Sequence, residues 1–181
     1  MASSPMKTFH ADRLPVRIFS TLPELAASAA DDAAAILIAA IAARGRARAI
    51  IATGNSQDQF LGQLVERPGI NWSKVELFHM DEYLGMPITH PASFRRYLKQ
   101  KVFDHVKPGA AHYLEGDALE PLKAMCDYAA ALASAPVDLC CLGIGENGHL
   151  AFNDPPVADF SDPETIKLVK LDDKCRRQQV G

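Results

Sequence analysis

Three short polar segments hold the side chains of this sequence that could do chemistry. They are TGNS (residues 53–56), MDEY (80–83) and GENGHLAFND (145–154). The first offers hydroxyl and backbone N–H groups that suit an anion. The other two offer carboxylates and an imidazole, which can move protons near neutral pH. Together they indicate a site for a small anionic molecule whose reaction involves proton transfer.

His149 needs its surroundings to count as a catalytic candidate, because an isolated histidine is more often structural. It is not isolated, since glycines precede it and Asn147 and Asp154 stand on either side, where they can hydrogen-bond or orient the imidazole. The glycines let the backbone approach a ligand closely. We therefore expect His149, Asn147 and Asp154 to act in catalysis and Gly145 to line the substrate site.

The glycines around His149 also spell GxGxxG, the fingerprint of dinucleotide binding (Gly143, Gly145 and Gly148). That fingerprint requires a helix running straight on from the loop and an acid about 20 residues later. Here Asp154 is followed by two prolines, which stop any helix within two turns. Dinucleotide binding is therefore disfavoured.

The TGNS segment lies between an apolar run and a helical pattern, so Thr53, Gly54, Asn55 and Ser56 fall at a strand-to-helix turn. Free backbone N–H groups and the positive end of the helix favour an anion there. An ordinary helix N-cap supplied by Ser56 or Asn55 explains the same residues equally well. The segment does not match the P-loop pattern, which disfavours a nucleoside triphosphate.

Asp81 and Glu82 end an apolar strand, where successive side chains point to opposite faces. At most one of them faces a given pocket wall directly. A carboxylate at the end of a parallel strand is placed for general-base work, and burial can tune its pKa. A solvated pair of turn acids is the plainer interpretation. For a DE pair taken alone that interpretation is preferred, and Asp81 and Glu82 stay candidates, the first for catalysis and the second for substrate contact.

Helices alternate with apolar strands along the chain. The predicted helices cover 26–43 (opened by a Thr21/Glu24 capping box), 58–66, 93–106 and 117–134 (opened by Asp117 and Glu120); the strands cover 46–54, 74–83 and 137–145. This order predicts an α/β fold: a Rossmann-like, doubly wound, mostly parallel sheet flanked by helices. Ligands in such sheets bind beyond the carboxyl ends of the strands, so the three polar segments should converge on one crevice.

Composition narrows the class of protein. With 181 residues and 48% hydrophobic content, the chain predicts one domain; its bounds, residues 15–181 after an N-terminal extension over 1–14, follow a family resemblance that begins at about residue 15. A net charge of −3 without a basic block disfavours nucleic acid and membrane surfaces as partners. The longest uncharged helical run, 33–43, is too short to span a bilayer.

The cysteines indicate a reducing compartment, the cytoplasm. None has CxxC spacing, and the adjacent Cys140 and Cys141 fall on a predicted buried strand, where they would serve as small apolar side chains. No other histidine or cysteine stands at ligand spacing from His149. We therefore expect neither a metal nor a cofactor.

Taken together, ATGNS (52–56), FHMDEYLGMPITHPASFRRYL (78–98) and DLCCLGIGENGHLAFNDP (138–155) resemble the glucosamine-6-phosphate deaminase/isomerase family. That family belongs to a broader group with 6-phosphogluconolactonase. In the lactonases, the sequence at the acidic pair looks like DER and the sequence after the glycine loop looks like DGHxASLFP. This chain has DEY and GHLAFNDP instead, which favours the deaminase branch. The resemblance implies a Rossmann-like enzyme without metal or redox cofactor that converts an amino-sugar phosphate and water into a ketose phosphate and ammonia.

The resemblance also implies roles for individual residues. Asp81 would move a proton between C2 and C1 of the open-chain sugar. His149 would open the pyranose ring with help from Asn147 and Asp154. The turn at 53–56 would hold the 6-phosphate.

Three positions depart from the family pattern: Asn147 stands for the usual Asp, Asp154 for Glu, and Gln179 for a phosphate-binding arginine. Family members also continue for several elements, so a C-terminal truncation within a mobile lid at 172–181 is expected.

The alternatives left open are a 6-phosphogluconolactonase and a non-catalytic sugar-phosphate sensor. The expected partner is a sugar phosphate, and a homo-oligomer stays open.

Overall fold

The computed structural model describes residues 4–180, without the side chains of residue 174 and of residues 178–180. The departure at Gln179 therefore lies outside the described side chains. The elements that position the site are a four-stranded sheet, the helices on its two faces and the loops at the carboxyl ends of its strands.

The sheet confirms the predicted α/β class. Its strands are β3 (Ala47–Ile51), β4 (Val75–His79), β5 (Ala110–His112) and β6 (Leu139–Cys141), in the order β5-β4-β3-β6. Every neighbouring pair is parallel. The predicted strands were longer, because the polar residues at their carboxyl ends leave the hydrogen-bonded ladder to form loops.

The long helix α1 (Leu22–Arg44) begins and ends as its sequence indicates. Thr21 and Glu24 form the predicted capping box, and Gly45 ends the helix in the left-handed region with a φ of 75°. Its buried face is mostly alanine (Ala26, Ala30, Ala33, Ala34 and Ala40), which lets it pack closely on β3 and the helix α2 (Asn55–Val65).

The argument that the apolar run is too short to span a bilayer fails on length. Helix α1 has 23 residues and a mean hydropathy of 1.7 over its most apolar window, so by length and composition alone it could cross a membrane. The core helix of a folded domain meets the same criteria, and Leu37 of α1 lies fully buried in the hydrophobic core.

An antiparallel hairpin precedes α1. Its strands are β1 (Lys7–Ala11) and β2 (Leu14–Ile18), and Asp12 adopts a φ of 54° in the turn between them. Arg17 connects the hairpin to α1 through an ion pair with Asp32 and a hydrogen bond to Ser28. The boundary drawn between residues 14 and 15 falls within this hairpin.

The remaining helices are α3 (Phe94–Leu98), α4 (Pro121–Ala133) and α5 (Asp173–Val180). The predicted helix over 93–106 is instead α3 followed by a π-helical turn, Lys99–Phe103. The expectation that Asp117 opens the next helix was wrong. Helix α4 begins four residues later, at Pro121, and the Asp117 carboxylate instead accepts a hydrogen bond of 2.7 Å from Arg95.

The two faces of the sheet carry different helices. Val75 and Leu77 of β4 belong to the core cluster that includes α1 and α2. Phe78 points to the other face, where it contacts Tyr128 of α4 edge to face at 5.8 Å. Strand alternation thus places helices on both sides, as a doubly wound sheet requires.

Cys140 and Cys141 are not buried, although the sequence predicted a buried strand there. Cys140 is exposed and Cys141 is partly exposed, because β6 is the edge strand of the sheet among the described residues. Packing around Cys141 is still close enough to raise the pKa of its thiol to about 12 through desolvation.

A buried arginine in the middle of β3 connects the sheet to α4. The guanidinium of Arg48 forms a 2.7 Å ion pair with Glu76 and stacks on Phe78 with its Cζ 4.7 Å from the ring centroid. It also donates to backbone carbonyls at the end of α4 and just after it, those of Ala131, Leu132 and Ala135. These contacts supply donors to carbonyls at the end of α4, of which that of Ala131 also accepts from Ser134.

We expect Arg48→Met to lower the free energy of unfolding by about 1–3 kcal/mol, because it leaves buried carbonyls without a donor. Urea denaturation followed by circular dichroism measures this change. The matched control is Arg46→Met, since Arg46 is exposed and should leave the denaturation midpoint unchanged. Equal midpoints for the two variants would contradict a structural role for Arg48.

Candidate active site

The strand register brings the three polar segments to one edge of the sheet. Ile51 pairs with His79 of β4 on one side and with Cys141 of β6 on the other. Thr53, Asp81 and Gly143 each stand two residues beyond these paired positions. Because parallel strands end on the same side, the loops that follow them leave the sheet together.

Direct contacts connect these loops in pairs. A Cβ added to Gly143 would lie 3.0 Å from Ser56 Oγ, so the glycine loop passes against the turn after β3. Tyr83 and Phe152 have ring centroids 5.6 Å apart, and Phe94 packs on both. The segment after Asp81 is therefore packed against the segment after His149.

A cavity of about 600 Å³ opens at this edge. Asp81, Glu82, Tyr83, Gly148 and Phe152 are among its lining residues. The volume is within the range of small-molecule sites. Neither residues 53–56 nor His149 line this cavity, although Gly148 brings the histidine loop to its wall.

Asp81 has the electrostatics of a proton acceptor that works near neutral pH. Burial, followed by the negative charge of Glu82, raises the pKa of Asp81 to about 7. None of the hydrogen bonds among the described residues engages its carboxylate, which leaves that group available to a ligand in the cavity.

Glu82 is bound within the protein instead. Its carboxylate accepts hydrogen bonds from the Ser93 hydroxyl at 2.8 Å and from the backbone N–H groups of Phe94 and Arg95 at 3.2 and 3.0 Å. The Arg95 guanidinium lies 3.5 Å away, and the Glu82 side chain is 0% exposed. Glu82 thus holds the N-terminus of α3, although the sequence led us to expect substrate contact.

The His149 imidazole is held by the two neighbours that the sequence singled out. Its Nδ1 lies 2.7 Å from Asn147 Oδ1 and 3.0 Å from Asp154 Oδ1. Because both oxygens are acceptors, this network assigns the proton to Nδ1 and leaves the lone pair on Nε2. A neutral histidine in this tautomer can accept a proton through Nε2.

Asp154 is ionised in this network. Burial by itself would raise the pKa of Asp154, but hydrogen bonds from the Asn147 amide and the Asp172 backbone, together with the His149 imidazole, outweigh burial and lower it. Asn147 cannot stabilise an imidazolium by charge, but the Asp154 carboxylate, in direct contact with Nδ1, can.

Gly145 makes room for the imidazole. A Cβ at position 145 would stand 2.2 Å from His149 Cε1, a distance that no real contact allows. The Gly145 N–H also donates to the His149 carbonyl at 2.9 Å, which closes the loop around the ring. Gly145 therefore fixes the place of the histidine.

We expect Gly145→Ala to lower turnover about 100-fold, because a displaced catalytic group costs about that much. Steady-state assays beside His149→Gln measure the loss, and the two variants should be similarly impaired. The matched control is Gly62→Ala, in α2 with nothing within 4 Å of the added Cβ. It should keep full activity and gain about 0.5–1 kcal/mol of stability. Full activity in Gly145→Ala would show that the position of the ring is not critical.

The turn after β3 presents the first residues of α2 to solvent. Gly54 is the N-cap and, among the described residues, no side chain caps the helix, so the alternative of an ordinary cap supplied by Asn55 or Ser56 is not what the structure has. Gly54, Asn55 and Ser56 are exposed and Thr53 is partly buried. Tyr97 braces the turn by donating to the Gly54 carbonyl at 3.2 Å and to Asp58 at 2.8 Å. The N–H groups of Asn55 and Ser56 remain available to an anion.

Sequence reasoning missed Asp172 and Cys175 at this site. Asp172 donates its backbone N–H to Asp154 at 3.0 Å, accepts from the Asn147 amide at 3.1 Å, and caps α5 by accepting from the Cys175 N–H at 2.6 Å. No metal was expected because no other histidine or cysteine stands at ligand spacing from His149 in the sequence. In the structure, however, potential ligand atoms of His149, Asp154 and Cys175 lie within 4.8 Å of one another. The separation of 26 positions between His149 and Cys175 gave no signal.

Known proteins resemble this chain in sequence. The family model for glucosamine-6-phosphate isomerases/6-phosphogluconolactonase matches residues 20–159. A glucosamine-6-phosphate deaminase of Cellvibrio japonicus is 34% identical over 134 residues, 70% of this chain and 51% of the relative. Glucosamine-6-phosphate deaminase 2 of Giardia intestinalis is 39% identical over 100 residues, 54% of this chain and 38% of the relative.

Solved structures agree with the sequence comparison. A monomeric glucosamine-6-phosphate deaminase superposes with a TM-score of 0.77 at 26% identity, covering 87% of this chain and 65% of that structure. A 6-phosphogluconolactonase from Plasmodium vivax gives a TM-score of 0.71 at 15% identity over 83% of this chain and 55% of its own, which shows a shared fold. This chain spans about half the length of the curated relatives it matches. With the family model covering residues 20–159, the chain belongs to the glucosamine-6-phosphate isomerase/6-phosphogluconolactonase family.

Proposed function

We propose that this chain carries the proton-transfer machinery of an amino-sugar phosphate deaminase/isomerase. The reaction converts glucosamine 6-phosphate, or a related hexosamine 6-phosphate, and water into fructose 6-phosphate, or the related ketose phosphate, and ammonia. The observation that carries the proposal is the carboxylate of Asp81, which has no hydrogen bond among the described residues and a pKa of about 7, in the wall of a cavity large enough for a hexose phosphate.

The chemistry assigns one task to each group. His149, with Nδ1 fixed by Asn147 and Asp154, accepts the proton of the C1 hydroxyl on Nε2 and delivers it to the ring oxygen, which opens the pyranose. Asp81 then removes the C2 proton and returns it to C1, while one proton of the amino group passes to O1, so the double bond moves from C1–O1 to C2–nitrogen. Water adds to the resulting imine at C2, and ammonia leaves as the ketone forms.

The turn after β3, residues 53–56, would bind the phosphate group of the substrate. The exposed N–H groups at Asn55 and Ser56 and the positive end of α2 would hold the 6-phosphate, with the hydroxyls of Thr53 and Ser56 as further donors. Gly143, in contact with Ser56, brings the histidine loop to the same turn. Glu82 supports the site from beneath by fixing α3 and need not touch the sugar.

Release of ammonia from hexosamine 6-phosphates tests the function. The assay is run on the full-length protein with a coupled dehydrogenase, with glucosamine 6-phosphate and galactosamine 6-phosphate as separate substrates. The rival function is hydrolysis of 6-phosphogluconolactone. Lactone hydrolysis above the spontaneous rate without ammonia would replace our proposal, and sugar-phosphate binding without turnover would indicate a sensor.

The pH profile gives a sharper prediction. Asp81 must be ionised to accept the C2 proton, so the rate should rise as pH passes upward through its pKa of about 7. We expect an ascending limb of kcat/KM between about pH 6 and 8, measured by ammonia release in buffers of constant ionic strength. A limb near pH 4, the ordinary range of an aspartate, would contradict the buried-base assignment.

The cytoplasm is the compartment that this function favours, because phosphorylated sugars are made and consumed there, and the four cysteines are free thiols. A homo-oligomer stays a prediction, which size-exclusion chromatography with light scattering tests directly.

A further inference from the structure

A second kind of site coincides with the histidine network. A ring nitrogen of His149, a carboxylate oxygen of Asp154 and the Sγ of Cys175 lie within 4.8 Å of one another. Cys175 and Asp154 are buried, at 2% and 1% exposure, and the His149 side chain is 10% exposed. Two separate segments, the loop after β6 and helix α5, provide these groups.

The charges around the cluster favour a cation. Asp154 and Asp172 lie side by side, with the Asp172 N–H on Asp154 Oδ2 and the Asn147 amide shared between the two carboxylates. Among the described side chains, no lysine or arginine contacts either carboxylate. Two buried or partly buried acids whose partners are an amide, N–H groups, one imidazole and the Cys175 thiol form a negative pocket.

The donor set narrows the kind of cation. One nitrogen, one carboxylate oxygen and one thiol sulfur are the ligands of Zn²⁺, and they suit Mg²⁺ or Ca²⁺ poorly because those ions take oxygen. Tetrahedral zinc at about 2.0–2.3 Å from its ligands keeps them about 3.3–3.8 Å apart. His149 Nδ1 and Asp154 Oδ1 are 3.0 Å apart and the ligand atoms all lie within 4.8 Å of one another, so the sulfur has to approach by at most about 1 Å.

We propose that His149, Asp154 and Cys175 form a Zn²⁺ site that holds the histidine out of the reaction. On binding, the Cys175 thiol becomes a thiolate and releases one proton to solvent. The metal takes the lone pair of His149 Nδ1, so the ring proton resides on Nε2. Nε2 then has no lone pair with which to accept a proton, and zinc acts as an inhibitor. The inhibitory part rests on the proposed function, whereas the binding part rests on geometry alone.

Direct titration tests the binding. The full chain, treated with a chelator and a reductant and then desalted, is titrated with ZnCl₂ in competition with a chromophoric chelator, and in parallel with CoCl₂. We expect one equivalent to bind, with a thiolate-to-Co²⁺ charge-transfer band in the near ultraviolet. Cys175→Ser should weaken Zn²⁺ binding about 100-fold and remove the band, because even outer partners of a metal ligand cost 10–100-fold.

The controls separate this site from adventitious thiols. Cys126→Ser removes an exposed cysteine on α4 and should bind as the unmodified chain does. His149→Gln provides an independent ligand deletion and should also weaken binding, while circular dichroism reports whether each variant is folded. Equal affinities for the unmodified chain, Cys175→Ser and His149→Gln would overturn the site.

Activity measurements keep the two proposals distinguishable. If ammonia release is present, Zn²⁺ should inhibit it at the concentration that fills the site, and EDTA should restore it. The Cys175→Ser variant should resist inhibition about 100-fold better. If ammonia release is absent, the titrations still decide the metal site, because neither readout uses the substrate.

Discussion

Asp81→Asn is expected to lower kcat for ammonia release by about 10²- to 10⁴-fold, the usual contribution of a positioned general base. Asparagine keeps the shape of the side chain but cannot accept the C2 proton. The phosphate contacts proposed for the turn after β3 do not involve Asp81, so the dissociation constant of the sugar phosphate should change little. Stopped assays for kcat and calorimetric titration of the substrate measure the two quantities separately.

The matched control for this variant is Asp127→Asn, which neutralises an exposed aspartate of α4 that pairs only with Lys123 among the described residues. It should keep full turnover. Loss of kcat and loss of affinity by the same factor in Asp81→Asn would mean that Asp81 shapes the site and does not act as the base.

The stability of Asp81→Asn provides an independent check on the electrostatics. A carboxyl whose folded pKa is about 7 costs stability when it ionises, and this cost grows as pH rises from about 4 to 7. Replacing it with a neutral amide removes the cost. The denaturation midpoint at pH 8 should therefore equal or exceed that of the unmodified chain, so any loss of turnover cannot be attributed to unfolding.

Local signals in the sequence were sufficient for three of the four strands of the sheet, β3, β4 and β6, and for the first helix, whereas β5 was not predicted. Thr21 and Glu24 form the capping box because the N–H groups at a helix start need acceptors. Both residues lie within four consecutive positions, so the pattern is visible in the local sequence. The apolar runs of β3 and β4 mark buried parallel strands in the same local way. The meeting of their polar ends then follows from parallel topology and needs no contact information.

The fates of Cys140 and Cys175 depended on distant parts of the chain. The run around Cys140 is as apolar as a central strand, and only its place at the sheet edge exposes it. Cys175 lies among polar residues, and only the packing of α5 on the histidine loop buries it. Neither outcome is encoded by periodicity.

The different roles of Asp81 and Glu82 show the same limit more closely. Alternation in a strand predicts that the two acids diverge, but the partners of Glu82 are Ser93 and Arg95, more than ten positions away. The sequence predicted that the two side chains point in different directions, but not which of the two acids would be bound within the protein. The helix N-terminus at Ser93 decides it, because backbone N–H groups at a helix start favour a carboxylate.

Glu82→Ala is therefore expected to lower the free energy of unfolding by about 3–5 kcal/mol, the usual cost of removing one partner from a buried ion pair. The change leaves the Ser93 hydroxyl and two N–H groups of α3 without their acceptor. Among the described residues, the Arg95 guanidinium then keeps the exposed Asp117 carboxylate and the Met86 carbonyl as partners. Urea denaturation of Glu82→Ala should show a lower midpoint, whereas Glu66→Ala, at an exposed position, should leave the midpoint unchanged.

Ammonia release by Glu82→Ala, assayed well below its unfolding temperature, should fall less than in Asp81→Asn, because Glu82 supports the site and accepts no proton from the sugar. A stable Glu82→Ala chain that has lost turnover would reverse the two roles and make Glu82 the base.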